Sequence, residues 1–215
     1  MPAGKVRKAE GTDAGRLARL VPAQKRSRER FMRILACAEA VLTEKGGDAF
    51  RMSDIVERTG VPFGSLYQYF PDKTAIIGTL AERYNAIGRE CVTAELAAVK
   101  SVRDLRPALC RIVDGYFDMF RTHPVMRDIW RATQADRALQ EIDRDGGAFL
   151  GGLLVDVLKR VAPNLPPQSI ETFSQLMMAL IAAAVRHAIE LRPKEAERAL
   201  ALFKHMLPKD LGVSS

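Results

Sequence analysis

Apolar positions along this chain recur at intervals of three and four, the period of a helix that buries one face. Over residues 27–45 the stripe is Phe31, Ile34, Leu35, Ala38, Val41 and Leu42, and Gly46-Gly47 closes it. Over residues 73–99 it is Ile76, Ile77, Leu80, Tyr84, Ile87, Cys91 and Leu96, interrupted only by Gly78 and Gly88. Asp72 stands where it can cap that long helix, and Ser27 where it can cap the first. Beyond it the same period predicts helices over 105–121, 125–131, 135–161 and 168–191, and a last one opened by Pro193 with Ala196, Leu200, Phe203 and Leu207. No segment alternates with the period of a strand and no repeat is visible. The pattern predicts an all-α chain.

Between the first and the long helix runs FRMSDIVERTGVPFGSLYQYFPDK, residues 50–73. Met52, Ile55 and Val56 predict a short helix ended by Gly60. Pro62 suits the first turn of another, because its missing N–H costs nothing there. That second helix is about two turns long and stops at Pro71. Two short helices joined by a Gly-containing turn have the shape of a helix-turn-helix. Leu66 and Phe70, four apart, can anchor one side of the second helix. The rest of it, Phe63, Gly64, Ser65, Tyr67, Gln68 and Tyr69, carries no charge. Such a surface suits a major groove, where amides pair with base edges and apolar groups meet thymine methyls. The bland alternative is a short connector with a tyrosine-rich core edge.

This stretch resembles the DNA-binding domain of the TetR family of bacterial transcriptional regulators. That family's pattern is T-x-x-x-I-A-x-x-x-G-V-S-x-G-x-L-Y-x-Y/H-F-x-x-K. It is matched here by Ile55, Gly60-Val61, Gly64, Leu66-Tyr67, Tyr69-Phe70 and Lys73. The resemblance covers residues 26–80. It departs at Arg51, where a Thr or Ser cap is common, and at Pro62, which replaces a Ser and with it a hydroxyl able to meet phosphate. The resemblance implies a three-helix, homeodomain-like unit joined by the long fourth helix to a helical ligand-binding and dimerisation domain. The expected division is 1–24 as a basic arm, 25–80 as the DNA-binding unit and 81–215 as the effector and dimer domain. It also implies that the long helix acts as a lever between them.

Chemistry sorts the candidate DNA-binding residues. Ser65, Tyr67, Tyr69 and Lys73 suit phosphate contacts, Phe63, Gly64 and Gln68 suit base edges, and Arg51 and Ser53 can reach the flanking backbone. Pro62 opens the helix that presents them. Charge agrees: the 215 residues carry a formal +7. Residues 1–30 hold nine Lys or Arg against Glu10, Asp13 and Glu29, so the basic character sits at one end. Residues 1–24 read as an arm that follows the duplex, or as a solvated tail.

The helix over 168–191 is apolar on nearly every face, so it needs cover on nearly every face. Its small residues Ala179, Ala182, Ala183 and Ala184 suit the close approach of another helix. With the last helix it would make half of a two-fold, four-helix interface, and the resemblance implies dimerisation through the same two helices. Two recognition helices roughly 34 Å apart would then match a palindrome. The distal half also has the composition of an apolar effector pocket: Tyr116, Phe117, Phe120, Trp130, Phe149, Phe173, Met177 and Met178, with Gln134 or His123 as polar handles. A core of this size needs the same residue types. Gly146, Gly147, Gly151 and Gly152 cost helix propensity, which suggests room for a ligand or a close helix crossing.

Other classes find little support. His123, His187 and His205 are isolated, and no phosphate loop, paired-carboxylate or nucleophile signature is present. No enzyme, cofactor or metal is expected. Cys37, Cys91 and Cys110 are odd in number and apolar in context, which fits buried thiols better than disulfides. No signal peptide is visible, and no apolar run is expected to span a membrane, the longest lying around 176–185. The expectation is a cytoplasmic, nucleoid-associated dimeric repressor that a small apolar effector releases from a palindromic operator. The alternative is an architectural DNA-binding protein without effector.

Overall fold

A computed structural model describes residues 24–209, and among them every regular element is an α-helix. The order is α1 (Lys25–Ala49), α2 (Met52–Thr59), α3 (Phe63–Tyr69), α4 (Lys73–Ala97), α5 (Val102–Thr122), α6 (Val125–Ala135), α7 (Arg137–Val161), α8 (Pro167–Ala188) and α9 (Pro193–Met206). The basic arm expected before α1 lies, except for Gln24, outside the described residues.

The chain divides into two compact units. Of the described residues, the first holds 24–84 together with Pro124–Ile142, and the second holds Asn85–His123 and 143–209. The division differs from the one expected at residue 80. It falls inside α4 and α7, and it assigns α6 to the first unit because α6 packs along α1. A contact between helices so far apart in sequence leaves no mark in local periodicity.

In the first unit Phe31, Ile34, Leu35, Ala38, Val41, Leu42, Ile55, Leu66 and Phe70, marked as apolar by the pattern, are all buried, and Phe50 and Val61 are buried with them. Met52 and Val56, marked with them, are half-exposed. The helix of α1 breaks at Gly46, whose φ of 74° suits a residue without Cβ. Gly60 ends α2 in the left-handed region at φ 66°, its N–H donating to the Val56 carbonyl at 2.9 Å. Asp72 caps α4 as expected, its Oδ1 accepting from the Ala75 N–H at 2.8 Å. Ser27 does not cap α1, which starts two residues earlier at Lys25 after an uncapped Gln24.

In the second unit α5, α8 and α9 pack together. Arg106 on α5 ties the end of α9 by donating to the carbonyls of Lys204 at 2.9 Å and Leu207 at 3.3 Å. A Cβ at Gly151 would stand 2.4 Å from Gln175 Oε1 on α8, but that is the end of a flexible, exposed side chain that can move aside. Gly147 and Gly152 have nothing within 4 Å of such a Cβ, so helix crossing does not account for them.

Contrary to expectation, α8 is long and apolar enough to cross a membrane by length and composition, with a mean hydropathy of 1.2 over its best window. One face of it is core, through Ile170, Met177, Met178, Ile181 and Val185. The opposite face leaves Leu176 55% and Leu180 43% exposed, and α9 leaves Leu202 62% and Met206 71% exposed.

Candidate nucleic-acid interface

The site is built on α3, and α3 is held by an aromatic clamp. Leu66 and Phe70 are fully buried, and Tyr69, three residues on from Leu66, is 6% exposed. Phe31 of α1 stacks on Phe70 with ring centroids 5.2 Å apart, and meets Tyr69 edge-on at 6.0 Å. The Tyr69 hydroxyl is hydrogen bonded to Ser27 Oγ at 2.7 Å. The Tyr69 ring thus lies on the same helical face as Leu66 and Phe70, and its hydroxyl carries one hydrogen bond, to Ser27.

The clamp fixes which residues of α3 face outward. Pro62, Phe63, Gly64, Tyr67 and Gln68 are exposed and Ser65 is half-exposed. Phe63 and Tyr67, one turn apart, lie nearly parallel with centroids 6.2 Å apart. No cation or anion stands among these residues.

Charge frames this face. The Ser27–Tyr69 bond brings the start of α1 to the end of α3, where Lys25, Arg26 and Arg28 are exposed. The first turn of α1 contains no acid to oppose them. Cations at a helix N-terminus repel its dipole, so the arrangement suits an incoming anion. Lys25 and Arg26 were not singled out by sequence, although the basic run from Lys25 to Arg30, broken only by Ser27 and Glu29, is their signal. Arg51 and Lys73 are exposed and Ser53 is half-exposed.

The cap that Arg51 cannot provide for α2 comes from Asp54. Its Oδ2 accepts from the Arg51 N–H at 3.0 Å, while Oδ1 accepts from Lys45 Nζ at 2.7 Å. The Lys45 hydrogen bond holds the Asp54 carboxyl below its ordinary range, against the opposing effect of burial.

The effector candidates are divided between the two units. Tyr116 and Phe120 meet edge-on at 5.2 Å in the second unit, and burial pushes the Tyr116 phenol up, with Arg186 acting against it. Arg186 itself pairs with Asp143 at 3.1 Å. Phe117 and Phe173 are half-buried and Met177 is buried. Phe149 is 50% exposed, with the Arg89 guanidinium 5.7 Å from its ring centroid. Trp130 and Gln134 belong to α6 and so to the first unit.

Among the described residues no cluster of three His, Cys, Asp or Glu is placed to hold a metal ion. The three cysteines are free, and burial pushes the Cys37 and Cys91 thiols up, so reactive thiolate is scarce.

A helix-turn-helix with an outward, uncharged second helix and cations beside it defines a DNA-binding regulator. Residues 34–80 match the family described as "Bacterial regulatory proteins, tetR family", and residues 103–213 match "Tetracyclin repressor-like, C-terminal domain". The chain belongs to the TetR family of helix-turn-helix transcriptional regulators. It is 40% identical over 58 residues to the "Uncharacterized HTH-type transcriptional regulator YvdT" of Bacillus subtilis, covering 27% of this chain and 30% of that protein. It is 38% identical over 63 residues to the "HTH-type transcriptional repressor KstR" of Mycolicibacterium smegmatis, covering 29% of this chain and 28% of that one. The chain thus matches less than a third of the length of either relative. A TetR-family regulator from Pectobacterium atrosepticum superimposes with a TM-score of 0.66, covering 90% of this chain and all of that one at 18% identity, which establishes the shared fold.

Proposed function

We propose that this protein is a dimeric repressor. Each subunit presents α3 to one half of a palindromic operator, and a small, largely apolar effector bound in the second unit releases the DNA. The observation that carries the reading is the uncharged outward face of α3, flanked by Lys25, Arg26, Arg28, Arg51 and Lys73. Phosphate contacts from those cations supply affinity without sequence information, and the α3 face supplies the selection. Ser53 and Ser65 serve the flanking backbone, and Gln68 reads a base edge. The exposed leucines of α8 and α9 support dimerisation through these two helices, since monomers rarely leave a patch of that kind in water. Tyr116, Phe117, Phe120, Phe173 and Met177 are the effector candidates within the second unit. The proposed location is the bacterial cytoplasm, at the nucleoid.

The test is a fluorescence-anisotropy titration against the DNA flanking the protein's own gene, with random duplex as competitor. Selective binding at two subunits per site supports the repressor and provides the assay for apolar effectors. Binding equal to that of random duplex sinks the proposal for this operator and favours the architectural alternative. Selective binding that no effector releases removes only the regulatory half.

A further inference from the structure

The outward face of α3 has an unusual chemistry for a groove-reading helix, because its largest exposed groups are two hydrocarbon rings. Phe63 is 47% and Tyr67 44% exposed, and their near-parallel contact at 6.2 Å and 20° makes them one apolar surface. Hydrophobic residues of this size are left in water only at a cost, and nothing in the packing of α3 requires either ring to be there. Gly64 lies beside them, and a Cβ on it would meet nothing within 4 Å. The fold therefore does not need glycine at 64. A bare backbone there leaves the flank of the Phe63 ring open to a flat partner.

In the major groove one base offers a hydrocarbon group: thymine, through its C5-methyl. An arginine or lysine on α3 would have favoured the acceptor edge of guanine, but α3 has neither. We infer that the Phe63–Tyr67 ring pair is the specificity determinant of this regulator and that it selects thymine by its methyl group in each operator half-site. Gln68, one residue beyond Tyr67, then pairs with the adenine edge of the same or a neighbouring pair. The inference rests on the operator-binding reading above. It assigns the ring of Tyr67 to the bases, whichever group its hydroxyl meets.

Uracil tests this cleanly, because it keeps the base pairing and removes only the methyl. A duplex library with a randomised centre is selected with the full-length protein. The winning duplex is then resynthesised with uracil replacing each thymine in turn. The expected result is a half-site with at least one thymine whose replacement weakens binding about fourfold, the transfer free energy of one buried methyl-sized group. Phe63→Ala should bind the thymine and uracil duplexes equally, while its circular dichroism shows the wild-type helix content. Phe63→Leu should restore part of the discrimination.

Equal affinity for the thymine and uracil duplexes in the wild-type protein overturns the inference while leaving selective operator binding in place. So does a Phe63→Ala loss that is the same on both duplexes. A library that yields no selected sequence overturns the operator reading, and this inference with it.

Discussion

An apolar face is open on α3 in the first unit and another on α8 and α9 in the second, and the two faces differ in kind. On α3 it is aromatic, small in area, contains the bare backbone of Gly64, and is framed by the cations at the start of α1. On α8 and α9 it is aliphatic, with Leu176, Leu180, Leu202 and Met206 exposed and Ala179 and Ala183 between them. Flat rings framed by positive charge suit the edges of stacked bases between phosphates. Flexible aliphatic chains separated by alanines suit a second copy of the same helices, where small residues let backbones approach and leucines fill the gaps. In the proposed reading both surfaces are interfaces, and the chemistry around each separates a groove in DNA from another protein subunit.

The two faces also differ in what holds them. The α3 face depends on a clamp behind it, whereas the α8 and α9 face lies on long helices that support themselves. Phe31→Ala should therefore have the largest effect, removing the ring between Tyr69 and Phe70. A loss of about 3–5 kcal/mol from the first unit is expected for a buried Phe truncated to Ala. Selective DNA binding should vanish with it, while self-association by analytical ultracentrifugation stays unchanged. Loss of both activities together would show that the two faces are not independent.

Leu176→Glu combined with Leu202→Glu attacks the other side of the comparison. Placing carboxylates in an apolar interface should cost roughly 2–4 kcal/mol per site, enough to make the protein monomeric at micromolar concentration. Because both positions face water in the single subunit, circular dichroism of the variant should match the wild type. A variant that still sediments as a dimer would move the interface elsewhere.

How far the sequence disclosed these regions follows from how local each one is. The α2–α3 unit is short, and its punctuation is carried by neighbours in the chain: Gly60 in its left-handed turn and Asp72 on the Ala75 N–H. That much was readable from the order of residues. The inward turn of Tyr69 was readable in principle, since Leu66, Tyr69 and Phe70 share one helical face. Its hydroxyl suggested phosphate, and only the fold reveals its hydrogen bond to Ser27. The docking of α6 on α1 is a tertiary fact with no local signature, and it carries Trp130 and Gln134 into the first unit. Periodicity also cannot say which flank of a long helix loses its cover, as Ile87 and Phe149 show by being 40% and 50% exposed.

A smaller change sharpens the account of the clamp. Tyr69→Phe keeps the ring against Phe31 and removes only the hydrogen bond to Ser27. A net loss of about 0.5–1.5 kcal/mol is expected for one such bond. If the bond also sets the start of α1 beside α3, affinity for random duplex should fall while the ratio of specific to random binding is kept. A fall in that ratio would instead place Tyr69 among the residues that read sequence.

The smallest expected effect concerns Asp54, which stands behind the α3 face and not on it. Its carboxylate caps α2 and pairs with Lys45, and the native environment lowers its pKa from 3.8. A group with a depressed native pKa stabilises the fold fully above its unfolded value. That contribution is lost as pH falls through the native value. At neutral pH, Asp54→Asn should therefore cost only about 0.5–1 kcal/mol, because Lys45 is itself well exposed and the amide still accepts from the Arg51 N–H. Between pH 7 and pH 5 the difference between variant and wild type should be constant. Below pH 4 it should shrink towards zero as the wild-type carboxyl protonates. Urea midpoints across that range measure this directly, and a difference that persists in acid would show that the α2 cap acts through shape and not through charge.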